Sequence, residues 1–308
     1  MPAAAAVHRR PSGLAYRLSG ASSSPTIVLL HGVGNNGAMW DDLIAGLADY
    51  RCLAPDLPGH GASRGLLWRS RVESAGLIAE LIEAETTGVR AHVVGLSLGG
   101  SVALELLASR PEILDHVVID GCAVLPSRII GPMKIGVSAI SPFLRLALVA
   151  KLIGRAFGVE AGAPLEAFVS QMQAADPRSF RRAFADANET RITPALLAAT
   201  CPTLLVAGER ELGHVRASSR LLADTMPNAQ ARMVPGANHG WGPAQRPDLH
   251  RRMVLAWIED QLLPEELAAE ETQAPMRWTE LSLERPLPGE EVAEFIVIVE
   301  TVQRSLSL

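Results

Sequence analysis

The sequence predicts an α/β protein built on a mostly parallel, doubly wound sheet, with a helical cap inserted at one end of that sheet. Three observations support this prediction. Short apolar segments alternate with helical patterns through most of the chain, and one helix-like stretch interrupts that alternation. Hydrophobic residues make up 48% of the 308 positions, which is ample for a large buried core.

The strands are predicted from short segments rich in β-branched and aliphatic residues. "GLAYRLSG" alternates apolar and polar positions, as a half-buried strand does. The later strand segments follow along the chain, and the first of them is a short continuous apolar run, typical of a strand covered on both faces. They are "TIVLL" (26–30), the start of "RCLAPDLPGHG", "AHVVGL" (91–96), "DHVVID" (115–120), "TLLVAG" (203–208) and "ARMV" (231–234). The stretches "SAGLIAELIEAE" and "GGSVALELLASRP" predict two of the helices between them.

This pattern divides the chain into three parts: a core, a cap and a C-terminal extension. The core is expected over 12–123 and 200–262, and the apolar, proline-punctuated stretch 124–199 is expected to form a helical cap. Because the cap follows a strand end, where open α/β sheets bind ligands, we expect it to cover a substrate. Residues 264–308 carry ten Glu against three Arg, a net charge of −7, and form an acidic C-terminal extension of unknown role. Within it "EFIVIVE" (294–300) has a strand-like pattern.

Composition and charge exclude several classes. The net charge is −5 and no basic cluster approaches the density of a nucleic-acid-binding surface, so no nucleic-acid partner is expected. Cys52, Cys122 and Cys201 lack metal-ligand spacing and are predicted to be small core residues in a reducing compartment. No apolar run reaches membrane-spanning length, and "MPAAAAVHRR" has the reverse order of a secretory signal, so we expect a cytoplasmic protein.

Ser97 is the candidate nucleophile. "GLSLG" at 95–99 fits G-x-S-x-G, in which a strained turn between a strand and a helix exposes the serine hydroxyl. An apolar strand precedes the motif here and a helical pattern follows it. The two glycines leave room for close backbone contact.

A serine hydroxyl needs a base, and the base needs an acid to orient it. His239 lies in the glycine-rich loop "PGANHGWGP" after a strand and is the candidate base. Six other histidines lack this setting: His8, His60, His92, His116, His214 and His250. Glu211 in "GERELGH" is the preferred acid, while Asp120 at the end of "DHVVID" and the neighbouring Glu209 remain alternatives.

The backbone amides of Val33 and Leu98 are the candidate oxyanion-hole donors. Leu98 follows the nucleophile, and Val33 lies in "LLHGVGNNGAMW", where His31 and Gly32 would set the shape of the loop. Asp56 in "APDLPGHGAS" is predicted to bond to its own turn backbone instead of taking part in catalysis.

Together these motifs resemble the α/β-hydrolase superfamily. "HGVGNN", "DLPGHGAS", "GLSLGG", "GERE" and "ANHGW" occur in the family's order over residues 12–262. The resemblance implies Ser97 as nucleophile, His239 as base, and the Val33 and Leu98 amides as oxyanion hole. The sequence departs from the family pattern by carrying Glu211 where an Asp is usual.

The predicted activity is hydrolysis of a small or medium carboxylic ester or lactone through an acyl-enzyme. Neither a cofactor nor a metal is expected, and the expected partner is a small-molecule substrate. Alternatives on the same residues are a carbon–carbon bond hydrolase and a cofactor-free perhydrolase, and a non-catalytic ligand-binding module is the alternative of another class. The sequence does not decide the oligomeric state.

The cap carries basic residues and no acidic residue over 123–159. The simpler interpretation is a solvated face. The alternative is that these cations attract a carboxylate substrate or, less favoured, an anionic membrane surface. They are Arg128, Lys134, Arg145, Lys151 and Arg155.

Overall fold

A nine-stranded sheet organises the part of the chain that the computed structural model describes, which is residues 6–86, 88, 90–157 and 159–269. The strand order is β1-β2-β4-β3-β5-β6-β7-β8-β9. The strands are β1 (Ala6–Arg9), β2 (Ala15–Ser19), β3 (Thr26–Leu30), β4 (Arg51–Pro55), β5 (Ala91–Leu96), β6 (Leu114–Asp120), β7 (Thr203–Gly208), β8 (Ala229–Val234) and β9 (Ala268–Ala269).

Six neighbouring strands are parallel: β4, β3, β5, β6, β7 and β8. Antiparallel strands flank them on both sides. β1 and β2 run antiparallel at one edge and β9 runs antiparallel at the other. The chain passes from β3 to β4 in one direction and returns to β5 on the other side of β3. Strand order therefore reverses at β3, and ligands of open α/β sheets bind outside the carboxyl ends of strands at such a point.

Helices cover both faces of the sheet. They are α1 (Asp41–Ala45), α2 (Arg71–Glu85), α3 (Leu98–Ser109), α4 (Ile130–Ile140), α5 (Ala147–Ala156), α6 (Ala163–Ala174), α7 (Pro177–Ala187), α8 (Pro194–Leu197), α9 (Gly213–Thr225), α10 (Trp241–Ala244) and α11 (Pro247–Ile258). Five of them, α4 to α8, lie between β6 and β7 and make up most of a helical insertion.

Side chains alternate between two apolar clusters on opposite faces of the sheet. In β3, Ile27 and Leu29 belong to one cluster, while Val28 and Leu30 belong to the other. All five residues of β3 are buried, as expected for a strand covered on both sides. The cluster with Val28 also includes residues of α2, α3 and the helical insertion, so the insertion shares a core with the sheet.

The seven predicted strands correspond to β2–β8, and the parallel doubly wound sheet is confirmed. β1 and β9 were not predicted. β1 is exposed at all four positions, and β9 has only two residues, so neither produces an apolar pattern. The strand predicted at 294–300 lies outside the described residues. The three cysteines are buried and free, as predicted.

The position of α3 generates a stability prediction. Leu106 is fully buried on this helix, which packs against β3, β5, β6 and α2. We expect Leu106→Ala to lower the free energy of unfolding by about 2–5 kcal/mol, because the substitution removes buried apolar surface and leaves a cavity. Urea denaturation measures the change.

The matched control is Leu262→Ala, at a leucine that is 96% exposed. Its effect should stay within about 0.5 kcal/mol. Equal losses from the two substitutions would contradict the placement of α3 in the core.

Candidate active site

Ser97 connects β5 to α3 in a backbone conformation that non-glycine residues rarely adopt. Its φ is 53° and its ψ is −108°. Such a conformation costs on the order of 1–3 kcal/mol and persists only where the surroundings hold it. Here the Ser97 N–H donates to the carbonyl oxygen of Asp120 at 2.8 Å, and its carbonyl accepts from the Ser101 N–H at 3.0 Å. The neighbouring strand and the helix together hold the strained turn.

The glycines at 95 and 99 are required by close backbone packing. A Cβ on Gly95 would overlap the carbonyl group of Gly99, and a Cβ on Gly99 would overlap the carbonyl group of Leu30. Any side chain at these positions would push the turn away from β3 and β5. The G-x-S-x-G spacing is thus a steric requirement of the turn that presents Ser97.

His239 and Glu211 form a hydrogen-bonded pair beside this turn. The distance between His239 Nδ1 and Glu211 Oε2 is 3.1 Å. The Glu211 side chain is 1% exposed, whereas that of His239 is 29% exposed. Glu211 Oε1 accepts from the Gly208 N–H at 3.4 Å, which orients the carboxylate at the end of β7. Since Nδ1–H donates to Glu211, the Nε2 of the ring is left as a proton acceptor.

Gly121 makes room for this pair. It has a φ of +61°, and a Cβ there would lie 2.9 Å from His239 Nδ1 and 3.0 Å from Glu211 Oε1. A side chain at 121 would therefore separate the imidazole from its carboxylate. Sequence reasoning did not single out this glycine, because its role depends on contacts between three distant segments.

The pKa of His239 is raised above its ordinary value of 6.5. Burial lowers this pKa, but the charge of Glu211, its hydrogen bond and the nearby Asp120 outweigh the effect of burial. The pair therefore stabilises the imidazolium form. A base that gains a proton during a reaction needs that stabilisation.

Asp120 lies next to the pair but contacts a different group. Its Oδ1 accepts from the indole N–H of Trp241 at 3.1 Å. Burial, together with the charge of Glu211, raises the pKa of Asp120 to about 8. Burial therefore favours the protonated form of Asp120, in contrast to a carboxylate that orients a base. Glu209, the third candidate, is exposed and accepts from the Gly236 N–H at 2.7 Å.

The loop that carries Val33 packs against Ser97. A Cβ on Gly32 would lie 3.7 Å from the Cβ of Ser97. His31 fixes the loop: its Nε2 accepts from the Leu57 N–H and its Nδ1–H donates to the Gly32 carbonyl, both at 2.8 Å. Burial lowers the pKa of His31 to about 4, so the ring stays neutral and keeps this tautomer.

Leu98 supplies the other predicted donor position. It is the first residue of α3, and the first N–H groups of a helix have no acceptor within the helix. The N-terminal end of a helix also favours negative charge.

Asp56 has the structural role that the sequence predicted. Its carboxylate accepts from the Gly37 N–H at 2.7 Å and from the Ala62 N–H at 2.6 Å. Asn36 accepts from the Ala38 N–H at 3.0 Å and so begins the short helical turn 37–40.

Ser97 and His239 line one cavity of about 370 Å³ between the carboxyl end of the sheet and the helical insertion. The insertion contributes mainly apolar side chains, of which Phe157 and Phe168 are the largest. These residues were missed by sequence reasoning, because an apolar helix pattern does not say which face meets a cavity. The lining also includes Val33, Asn35, Met39, Asp41, Asp42, Leu96, Val159 and Gln171.

The family is established by comparison with known proteins. The model of the alpha/beta hydrolase family matches residues 27–279. The chain belongs to the alpha/beta hydrolase family, which confirms the predicted family, fold class and enzyme class.

Curated relatives include hydrolases and esterases. An AB hydrolase superfamily protein of Gibberella zeae is 27% identical over 253 residues, covering 78% of this chain and 82% of that protein. An esterase of Mycobacterium tuberculosis is 36% identical over 118 residues, covering 37% of this chain and 38% of the esterase. A pimeloyl-[acyl-carrier protein] methyl ester esterase of Nitrosospira multiformis is 36% identical over 98 residues, covering 31% of this chain and 37% of that esterase.

Solved structures share the fold. A hydrolase from Pseudomonas aeruginosa superposes with a TM-score of 0.69 at 23% identity, covering 84% of this chain and 99% of that one. The enol-lactonase from Burkholderia xenovorans superposes with a TM-score of 0.70 at 20% identity, covering 80% of this chain and 96% of the enol-lactonase chain. In the described part of this chain, no helix combines the length and the apolar character needed to cross a bilayer.

The His239–Glu211 contact predicts a measurable titration. Histidine NMR should give His239 a pKa above 6.5 in the native protein. In Glu211→Gln that pKa should fall, because the negative charge is lost while the burial that disfavours the imidazolium remains.

Glu209→Gln is the matched control, because it removes a carboxylate that hydrogen-bonds to Gly236. The pKa of His239 should barely change in this variant. An equal fall in both variants would show that Glu211 has no specific contact with the imidazole.

Proposed function

We propose that the chain is a serine hydrolase that cleaves small or medium carboxylic esters or lactones through an acyl-enzyme. The observation that supports this most directly is the juxtaposition at one cavity. Ser97 in a strained turn and the His239–Glu211 pair both belong to the carboxyl edge of the sheet, and Ser97 and His239 line the same cavity.

In the proposed reaction, Ser97 Oγ attacks the substrate carbonyl carbon while His239 Nε2 takes the hydroxyl proton. The imidazolium is stabilised by Glu211 at Nδ1, and the N–H groups of Val33 and Leu98 hold the oxyanion. Collapse of the tetrahedral intermediate breaks the carbonyl–oxygen bond of the ester. The leaving alkoxide takes the proton from His239 and departs as an alcohol.

The acyl group is then released by water. His239 Nε2 accepts a proton from the water as its oxygen attacks the acyl carbon, and the same oxyanion donors act again. Collapse returns the proton to Ser97 Oγ and frees the carboxylic acid. Every step uses groups of this chain and one water molecule.

The helical insertion is proposed to cap the substrate. Phe157, Val159 and Phe168 line the side of the cavity that faces away from the sheet. Such a wall suits an apolar acyl or alcohol group, since apolar contact is the main source of affinity in a pocket of this size. Two relatives of the chain, an esterase and a methyl ester esterase, are consistent with an ester substrate.

We also propose that the protein works in the cytoplasm. The three cysteines, Cys52, Cys122 and Cys201, are buried as free thiols. Unpaired thiols fit a reducing compartment.

A fluorophosphonate probe tests the proposed nucleophile. Intact-mass measurement should show one adduct on the native chain and none on Ser97→Ala. Ser109→Ala is the control, because Ser109 is an exposed serine on the same helix, and it should be labelled fully.

Hydroxylamine partitioning tests the acyl-enzyme. Esters that share an acyl group but differ in the alcohol should give the same ratio of hydroxamate to acid, because each forms the same intermediate. Absence of an adduct on the folded native chain would favour a non-catalytic binding module. An adduct without turnover of esters or lactones would favour carbon–carbon bond hydrolysis or perhydrolysis, which diketone and peroxide assays detect.

The charges at the cavity predict a preference for neutral substrates. Asp41 and Asp42 line it, and no Lys or Arg occurs among its lining residues in the described part of the chain. The basic residues that the sequence suggested for a carboxylate substrate do not line it. A neutral ester should therefore be hydrolysed with a higher kcat/KM than an ester of the same length that ends in a carboxylate.

Asp42→Asn should lower the ratio of kcat/KM for the neutral ester to kcat/KM for the anionic ester by roughly two- to fivefold at low salt, because it removes one exposed negative charge. The measurement is kcat/KM for both esters. A native preference for the anionic ester would contradict the assignment.

A further inference from the structure

A second group of chemically active side chains lies at the opposite end of β5 and β6. Ala91 pairs with Leu114 and Val93 pairs with Val117, so one residue of β5 faces two residues of β6. The irregularity places His92 opposite Asp115 and His116. Such bulges re-aim side chains that a regular ladder would send to opposite faces.

The three side chains converge. His92 Nε2 lies 3.8 Å from Asp115 Oδ2, and His116 Nδ1 lies 3.8 Å from Asp115 Oδ1. One nitrogen or oxygen from each residue lies within 4.8 Å of the others. The side chains of His92 and His116 are 9% and 11% exposed, while the Asp115 side chain is 48% exposed. The group is therefore a buried histidine pair with one carboxylate open to solvent.

His116 has the hydrogen bonding of a metal ligand. Its Nε2 lies 3.2 Å from Asp260 Oδ1, so Nε2–H donates to that carboxylate. This contact assigns the tautomer with the lone pair on Nδ1, the atom that lies 3.8 Å from Asp115 Oδ1. Nδ1 is buried and has no hydrogen-bond partner in the described part of the chain. A ligating histidine typically donates its other N–H to a carboxylate in this way.

With this tautomer two acceptors, His116 Nδ1 and Asp115 Oδ1, lie 3.8 Å apart with no donor between them, and a bound cation would satisfy both. Imidazole nitrogens and a carboxylate are the donor set that Zn²⁺ and similar ions prefer. We propose that His92, Asp115 and His116 bind one divalent transition-metal ion, with Zn²⁺ as the probe ion and water in the remaining position. The ion would be structural and would tie β5 to β6.

The spacing of the three donors can be compared with that of a tetrahedral zinc site. Donors around a tetrahedral zinc ion are about 3.3–3.5 Å apart, given metal–ligand distances near 2.0–2.1 Å. The two 3.8 Å separations involve different oxygens of Asp115, and one donor atom from each residue lies within 4.8 Å of the others, so the longest separation would contract by up to about 1.5 Å. Asp115 can supply its part of this movement, because its side chain is half exposed, and small rotations of the two imidazoles would supply the rest. His92 lies about 16 Å along β5 from Ser97, so the ion would be far from the proposed chemistry.

Metal titration of the full, tag-free chain tests the proposal. Competition with a chromophoric chelator should show one Zn²⁺ per chain, and Co²⁺ should give the visible absorption of a four-coordinate site. Asp115→Asn and His116→Gln should each weaken Zn²⁺ binding by more than about tenfold. Circular dichroism checks that each variant is folded, and Asp115→Asn is the safer variant because the side chain is partly exposed.

Two histidine substitutions are the controls. His8→Gln removes an exposed histidine on β1, and His239→Gln removes the proposed base, so both should retain native Zn²⁺ affinity. Ester hydrolysis by Asp115→Asn should stay near the native rate. The proposal is overturned if the native chain binds no Zn²⁺, if folded Asp115→Asn binds it with native affinity, or if His239→Gln abolishes binding.

Discussion

The hydrogen bond between His239 Nδ1 and Glu211 Oε2 sets a constraint on three separate segments of the chain. The buried Glu211 carboxylate contacts the partly exposed His239 imidazole, although Glu211 lies on the loop after β7 and His239 on the loop after β8. The Gly208 N–H orients the carboxylate, and Gly121 after β6 leaves the space in which the two groups touch. The parallel sheet makes this possible, because the carboxyl ends of β5 to β8 all open on the edge where Ser97 also lies.

The fold and most of the candidate site could be predicted from local patterns. Short segments rich in aliphatic residues marked β3 to β8, because β3 to β7 are buried at nearly every position and β8 is partly buried. Ser97 could be located because the G-x-S-x-G spacing is required by backbone contacts with β3 and α3. His239 and Glu211 could be located from their places after strands, since residues at the carboxyl ends of parallel strands share one edge.

Other features depend on contacts that no local pattern reveals. The choice between Glu211 and Asp120 depends on which carboxylate reaches Nδ1 and which meets the indole of Trp241. The cavity wall at Phe157 and Phe168 depends on how the insertion rotates over the sheet. Sequence spacing also could not predict the bulge that brings His92 next to His116, because the two residues are neighbours only through the pairing of β5 with β6.

The turnover of two acid variants tests the account most directly. Glu211→Gln should lower kcat on the best ester substrate by roughly 10³–10⁴-fold, because the imidazole loses its orienting charge. Asp120→Asn should change kcat by less than about tenfold, because an amide has the shape of the carboxyl group and its oxygen can still accept from Trp241. A collapse of turnover in Asp120→Asn, with Glu211→Gln still active, would mean that Asp120 orients His239 and that the account is wrong.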